Sequence, residues 1–333
     1  MSMTRILSRD HIADVLRMAD VIEAVRSALT GRPGNNLQTA RTLASYEEKG
    51  HIYTAKSSSG FSLIPGVAGV SVTTSEQEAS SSGKSLYQSS VFLLFDLESG
   101  GLKAILDGRE ITLLRAAASC AIAARLLASK DERNMLLVGA GALAAAMLKG
   151  SVESMPGLKQ ISLTSRDPRR TEDFIRSQSP RYPHLRFVGF SFFDLGDHVR
   201  KNTYVVTASS SISPLIKKEW ITPGTHITAA GANTPEKQEL EPEIMVTSKV
   251  FADDTCQASE IGECRTAVET GLISPDRITG IGDVIKGKAQ GRTENSQVTV
   301  YDITGTSLEE ILVAQLALKR AIYRNTGDVA GII

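Results

Sequence analysis

Met135-Leu-Leu-Val-Gly139-Ala-Gly141-Ala-Leu-Ala144 is the stretch on which the fold turns. Four apolar residues run into glycine, which suits a strand buried on both faces. Gly-x-Gly-x-x-Ala follows, and then an alanine-rich helical run. Each small residue has a task in that order. Gly139 permits a tight turn, Gly141 lets backbone approach a pyrophosphate, and Ala144 lets the helix sit close to the strand. The open N–H groups at the helix start then face an anion. Gly139, Gly141, Ala142 and Leu143 are therefore expected to hold a dinucleotide. The competing reading is a Gly/Ala-rich buried helix that merely packs tightly.

Strands and helices alternate outward from this point. Candidate strands lie at Asn134–Val138, Gln160–Thr164, Thr203–Ala208, His226–Ala230, Lys249–Ala252 and Gln297–Asp302, with helices between. That alternation implies an α/β, Rossmann-type, doubly wound parallel sheet with crossover helices on both faces. A helix from Ser307 to about Tyr323 closes the chain, and an alanine-rich one covers Leu113–Leu127. Before Thr112 the pattern differs. A single helix is expected near Ile12–Leu29, from the spacing of Val15, Met18, Val21, Ile22, Val25 and Leu29, and Gly31-Arg32-Pro33-Gly34 should stop it. Strands follow at Gln38–Tyr46, His51–Ala55, Gly66–Thr74 and Ser89–Asp96. Turns of Glu-Lys-Gly, Ser-Ser-Ser-Gly and Glu-Ser-Gly-Gly separate them. This first third reads as α+β with an antiparallel or mixed sheet.

Composition narrows the class. Lysine plus arginine equals aspartate plus glutamate at 37 each, so no basic excess points to nucleic acid or an anionic membrane. Cys120, Cys256 and Cys264 are odd in number and scattered, which suits reduced thiols in a reducing compartment. The five histidines stand apart from one another and from the cysteines, so no metal site is expected. No basic-then-apolar leader opens the sequence, and Met135–Leu148 is too short to span a bilayer. A cytoplasmic protein is expected.

Three further segments carry chemistry. Thr164-Ser165-Arg166-Asp167 ends the second strand of the alternating region. An acid at this tip binds ribose hydroxyls of NAD, whereas arginine accommodates the 2′-phosphate of NADP. Ser165 and Arg166 lean towards NADP, while Asp167 keeps NAD open. In Ile111-Thr-Leu-Leu-Arg115-Ala-Ala-Ala, an arginine in an apolar helix start needs an anion. A cofactor phosphate, a substrate carboxylate or a structural acid would each serve. Ala229-Ala-Gly231-Ala-Asn233-Thr-Pro235-Glu-Lys-Gln-Glu239-Leu leaves a strand at the edge where such folds place substrate. Plain turn geometry is the alternative there.

Together these segments resemble the ornithine cyclodeaminase/mu-crystallin family. The resemblance rests on Arg41, Ile111-Thr…Arg115-Ala-Ala, Gly139-Ala-Gly-Ala-Leu-Ala, Gly231-Ala-Asn-Thr-Pro-Glu-Lys-Gln-Glu-Leu, Gly291-Arg292 and Thr304-Gly305, in the family's order over nearly the whole chain. It implies a homodimer whose substrate-binding and dimerisation domain joins residues 1–112 with 307–333, around a dinucleotide-binding domain at 113–306. Members include cyclodeaminases, ketimine reductases and amino-acid dehydrogenases, all acting at the C–N bond of an amino acid. Carried over by position, Arg41 and Arg115 would grip the carboxylate of a small amino-acid-like substrate. Thr207, Ala208 and Ser209, with Gly231 to Asn233, would flank the nicotinamide of NADP or NAD.

Two departures from the family bear on the chemistry. Ser71 stands where a lysine is usual, which implies an unusual substrate, rescue by Lys56 from the neighbouring strand, or a protein that no longer catalyses. Asn233 takes the catalytic position that cyclodeaminases fill with aspartate, and asparagine cannot act as a base. The resemblance therefore implies an NAD(P)H-dependent imine reductase or amino-acid dehydrogenase. Ornithine-type cyclodeamination and non-catalytic ligand binding are the alternatives. Tyr53, Lys56, Ser58 and Ser71 are candidates to line the substrate pocket. Glu310, where the family has aspartate, reads as ordinary first-turn helix charge.

Overall fold

A computed structural model of the chain describes residues 3–31, 40–63, 66–78 and 85–331. Two compact units emerge, one of residues 1–115 with 306–333 and one of 116–305.

The second unit holds eight strands: β7 (Asn134–Val138), β8 (Gln160–Thr164), β9 (Arg186–Gly189), β10 (Tyr204–Thr207), β11 (His226–Ala229), β12 (Lys249–Ala252), β13 (Ile278–Gly280) and β14 (Thr299–Asp302). Their order is β13-β12-β14-β11-β10-β7-β8-β9, and every neighbouring pair is parallel. The fold is thus the expected Rossmann-type sheet. Strands β10, β11 and β14 are buried along their whole length, as crossover helices on both faces require. Six of these strands stand where the apolar runs place them. The two outermost, β9 and β13, were not foreseen: one is half exposed and the other three residues long.

The first unit holds β1 (Met3–Leu7), β2 (Ala40–Glu48), β3 (His51–Ser62), β4 (Val67–Glu78), β5 (Ser85–Asp96), β6 (Leu102–Asp107) and β15 (Asp328–Gly331). They form one mixed sheet, ordered β15-β1-β6-β5-β4-β3-β2, in which only the β1–β6 pair is parallel. The Glu-Lys-Gly turn is a tight hairpin, with Lys49 and Gly50 both at positive φ, the twist that suits a two-residue connection. Ser57-Ser-Ser-Gly60, by contrast, is strand. β2 and β4 bond it from both sides, which satisfies its backbone without a turn. The second Ser-Ser-Ser-Gly run, at 80–83, and the Arg32–Gly34 stop lie outside the described residues.

The helix expected at Ile12–Leu29 is two helices, Arg9–Val15 and Met18–Thr30. Leu16 and Arg17 adopt extended backbone between them, and Arg17 bonds Asp20 at 3.0 Å across the new helix start. Both pieces still bury their apolar stripe, through Ile12, Val15, Met18, Val21 and Val25. The helix Ser307–Arg324 packs on Met18–Thr30 and on β3 and β4. It lies so close that a Cβ at Gly69 would come within 2.5 Å of the Ile311 side chain.

His226 sits at the centre of the parallel sheet with no exposed surface, stacked on Tyr204. Its Nδ1 lies 2.9 Å from the Thr299 hydroxyl and its Nε2 3.0 Å from that of Thr228. Burial, with the Arg292 charge nearby, pushes its pKa down to about 3 from 6.5. The unfolded chain therefore takes up the proton first, and stability falls as pH drops from about 6.5 towards 3. The expected slope is at most about 1.4 kcal/mol per pH unit. Urea midpoints between pH 7 and 4 should decline less steeply in His226→Asn than in the wild type. Parallel declines would show that the buried imidazole is not a source of acid lability.

Candidate active site

The parallel sheet reverses its direction of winding beside β7. From there the chain steps to β8 and β9 on one side, then returns to β10 on the other. The crevice outside the carboxyl ends of β7 and β10 is therefore the switch point where such sheets bind ligands. Gly139 stands at that point with φ of 126°, donating its N–H to the Thr164 carbonyl at 2.9 Å. A Cβ there would lie 2.5 Å from the Ala208 carbonyl oxygen. Both facts demand glycine.

Gly141 differs. Its φ is −102°, and a Cβ would meet nothing within 4 Å. The unit's own packing does not require glycine at this position, and the space beside it is open to a ligand. Gly141 opens the helix Ala142–Ser154, whose first turn has no side-chain cap and no acidic residue. Uncapped N–H groups and the positive end of a thirteen-residue helix thus face open space, which fits a pyrophosphate. Ala144 is fully buried, as close packing of helix on strand requires.

A carboxylate that the sequence did not single out ties the neighbouring loops together. Glu239 is completely buried. It accepts from the Ser209 N–H at 2.6 Å, the Gly231 N–H at 2.8 Å and the Thr207 hydroxyl at 2.8 Å. Thr207, Ala208, Ser209 and Gly231 are thereby held together after β10 and β11. Burial pushes the Glu239 carboxyl up while those three bonds pull it down. Behind it, Glu263 accepts from the Glu239 and Leu240 N–H groups at 2.7 and 2.9 Å. Burial and the Glu239 charge drive Glu263 well above the usual carboxylate range.

Asn233 follows on the same loop. Lys237 Nζ donates to its Oδ1 at 2.9 Å. An ammonium has only donors, so the amide oxygen must be the atom that faces it. The Asn233 NH2 is then turned away from Lys237. Burial lowers the Lys237 pKa.

At the tip of β8, Asp167 is committed to structure. It caps the helix Pro168–Gln178 through the Arg169 N–H at 3.0 Å, and that bond, ahead of the arginine charge, holds its carboxyl down. The Ser165 hydroxyl donates within the same turn, to the Asp167 carbonyl at 2.8 Å. Arg166 is exposed and makes no ion pair among the described residues.

In the first unit, strand register aligns Arg41, Ser58, Ser71 and Phe92 across β2 to β5. The Arg41 side chain lies outside what the structure describes. Ser71 is buried, and the Ser58 hydroxyl lies 2.9 Å from that of Ser307. Lys56, half-buried, aligns with Thr73 and Ser90 two residues along. A line of hydroxyls therefore occupies the face beneath the start of helix Ser307–Arg324. Arg115 is 8% exposed, on the helix Gly108–Leu127. Its nearest acid is Glu310, whose Oε1 is 3.9 Å from Arg115 Nε. That Nε has no hydrogen-bond partner among the described residues. Glu310 is not simple helix-start charge. Glu309 makes the capping box with Thr306, while Glu310 turns to Thr112 and Arg115.

The second unit thus has a Rossmann-type architecture with an open glycine turn at its switch point, and the first carries a buried, incompletely paired arginine. The family model for the ornithine cyclodeaminase/mu-crystallin family matches residues 3–325, and the chain belongs to that family. It is similar to the iminosuccinate reductase of Paracoccus denitrificans, 28% identical over 309 residues that cover 93% of each protein. A Δ1-pyrroline-2-carboxylate reductase of the same organism is 29% identical over 67% of this chain and 70% of its own. Among solved structures, an archaeal alanine dehydrogenase dimer with bound NAD superposes with a TM-score of 0.84. It is 25% identical over 99% of this chain and all of its own.

The two glycines predict opposite behaviour. Gly141→Ala should fold with a melting temperature near that of the wild type, because its Cβ finds open space, yet bind NADH or NADPH at least about tenfold more weakly. Gly139→Ala should be strongly destabilised by strain at positive φ and the clash with Ala208. Thermal melts and fluorescence titration check both. Undiminished cofactor binding by Gly141→Ala would remove the pyrophosphate from this turn.

Proposed function

We propose that this protein reduces a 2-imino acid to the amino acid, and runs the reverse oxidation when products are in excess. It is an oxidoreductase acting on the C–N bond of an amino or imino acid with a nicotinamide dinucleotide. The observation that carries this reading is Asn233 with its oxygen engaged by Lys237. The position where a cyclodeaminase needs a proton acceptor offers an amide donor instead.

When bound, the dinucleotide supplies or takes the hydride. The glycine turn at Gly139, Gly141, Ala142 and Leu143 holds its pyrophosphate, and Thr207, Ala208, Ser209 and Gly231, fixed by Glu239, line the nicotinamide end. Arg41 and Arg115 bind the substrate carboxylate, with Ser71 and Lys56 completing the polar face. A protonated imine has no lone pair on nitrogen, and one develops as hydride reaches carbon. The Asn233 NH2 can donate to that lone pair as it forms, which favours the transition state over the iminium. The iminium carbon is already electron-poor, so positioning supplies most of the remaining rate.

The exposed, unpaired Arg166 and the commitment of Asp167 to a helix cap support NADP over NAD. The first unit is the substrate-binding and dimerisation domain in this reading. Leu43, Tyr46 and Val72 stand exposed on β2 and β4, apolar surface that a second copy would cover. The described residues contain no helix long and apolar enough to cross a membrane. The free cysteines Cys120, Cys256 and Cys264 suit a reducing cytoplasm.

The decisive assay follows loss of reduced-nicotinamide absorbance with NADPH or NADH, using 2-oxo acids plus ammonia or methylamine, and cyclic ketimines. Consumption is expected with at least one substrate. Ammonia release from ornithine without net cofactor turnover would replace this reading with cyclodeamination. Arg115→Ala should raise KM about a hundredfold, since a charge-assisted contact to the carboxylate is lost, and should lower the melting temperature, because Glu310 is left buried without its counter-ion. Unaltered kinetics would end the role given to Arg115. Arg166→Ala should cut the NADPH-to-NADH preference about tenfold, and an unchanged ratio would place cofactor discrimination elsewhere.

A further inference from the structure

We propose that Glu310 is a positioning residue, which holds the Arg115 guanidinium for the substrate carboxylate without saturating it. The inference rests on the carboxylate-binding role given to Arg115 above, and it assigns the partner that makes that role possible.

Two acids open the helix Ser307–Arg324, and their surroundings separate them. Glu309 serves the helix itself, accepting from the Thr306 N–H at 2.9 Å while the Thr306 hydroxyl accepts from the Glu309 N–H at 3.3 Å. This capping box settles the local backbone, so Glu310 is not needed for it. Glu310 is only 7% exposed, too deep to be a solvated surface charge. Its Oε1 accepts from the Thr112 hydroxyl at 2.7 Å, a bond that joins this helix to Gly108–Leu127 one turn before Arg115. The same oxygen stands 3.9 Å from Arg115 Nε.

A distance of 3.9 Å is too long for a hydrogen bond and short enough for a strong charge interaction at this depth. Each ion would be costly to bury alone, and each lowers that cost for the other. Thr112 fixes the Glu310 carboxylate, and the carboxylate in turn fixes the side on which the guanidinium rests. No described residue accepts a hydrogen bond from Arg115, and Nε is buried without a partner. A guanidinium has five donors. An arginine that is charge-balanced but not hydrogen-bonded is prepared for a planar anion to take its fork.

The test compares Glu310→Gln and Glu310→Asp with the wild type. Glutamine keeps the size and an oxygen for Thr112 but removes the charge. It should raise KM for a 2-imino acid about tenfold, with kcat changed far less, because the lost interaction serves binding of the carboxylate. Aspartate should restore most of the KM, and Glu310→Gln should melt below both Glu310→Asp and the wild type, since it leaves Arg115 buried without its counter-ion. Combined with Arg115→Ala, Glu310→Gln should add no further loss, since the two act through one contact. A KM that is unchanged or lower in Glu310→Gln would overturn the proposal; a lower one would show that Glu310 competes with the substrate.

A crystal structure of the Glu310→Gln protein gives a readout independent of turnover. Displacement of the Arg115 guanidinium is expected, and an unmoved one would overturn the positioning role whatever the assays show. Failure of every imine to be reduced, with Arg115 displaced in Glu310→Gln, would instead count against the proposed reaction while leaving Glu310 as the residue that holds Arg115.

Discussion

Close approach of two backbone segments at Gly139 is the constraint on which the Rossmann-type unit depends. The carbonyl of Ala208 occupies the space a Cβ would need, and φ at Gly139 is one that side chains rarely adopt. That contact lets β10 lie directly beside β7, its Ala208 N–H donating to the Val138 carbonyl at 2.9 Å. Without it the two halves of the winding could not meet there, and no crevice would open at their carboxyl ends. Gly141, two residues on, is small for another reason: nothing in the protein crowds it. One glycine serves the fold and the other leaves space that a ligand can use, although the motif presents them as a pair.

Much of this arrangement was legible in the sequence because it is built from buried runs. β7, β8 and β12 begin and end where their apolar stretches do, since a strand covered on both faces tolerates little else. Edge strands carry no such signal. β9 and β13 have one neighbour each and need only part of the pattern, so Arg186–Gly189 and Ile278–Gly280 resemble loops. The break at Leu16–Arg17 was hidden for another reason. Two helices that bury the same stripe keep the same spacing of apolar residues as one. Sequence periodicity registers which side faces the core, not whether the backbone is continuous.

For the candidate site the sequence singled out glycines and arginines, and it was silent on the buried carboxylates. Glutamate in a loop reads as surface charge, and Glu239 and Glu263 are wholly buried. What permits this is a supply of backbone N–H groups from loops that have no ladder to bond. Such donors are created by the fold and leave no trace in residue spacing. Glu239 lay inside a quoted motif, yet nothing in the motif could tell a clamp from a solvated acid. The same limit applied to Glu310. Its neighbour Glu309 satisfies the helix start, and only the third dimension shows that one acid suffices for that task.

Charge balance links these observations to chemistry. Around Arg115 the structure provides one acid, held at a distance by Thr112, and a face of serine and threonine hydroxyls. Around Asn233 it provides one cation, Lys237, bonded to the amide oxygen. Among the described residues, Asn233 has no carboxylate hydrogen-bonded to its side chain, and the acid beside Arg115 is Glu310, bonded by Thr112. An enzyme that expels ammonia must move protons on and off nitrogen repeatedly, and needs a group that can do so. One that adds hydride to an iminium needs a carboxylate grip, a fixed nicotinamide and a donor for the emerging lone pair. The residues that depart from the family pattern, Ser71 and Asn233, are neutral where the pattern is charged. Both departures remove proton-transfer capacity and leave the capacity to bind. On the proposed reading they belong to one change in chemistry rather than to two separate losses.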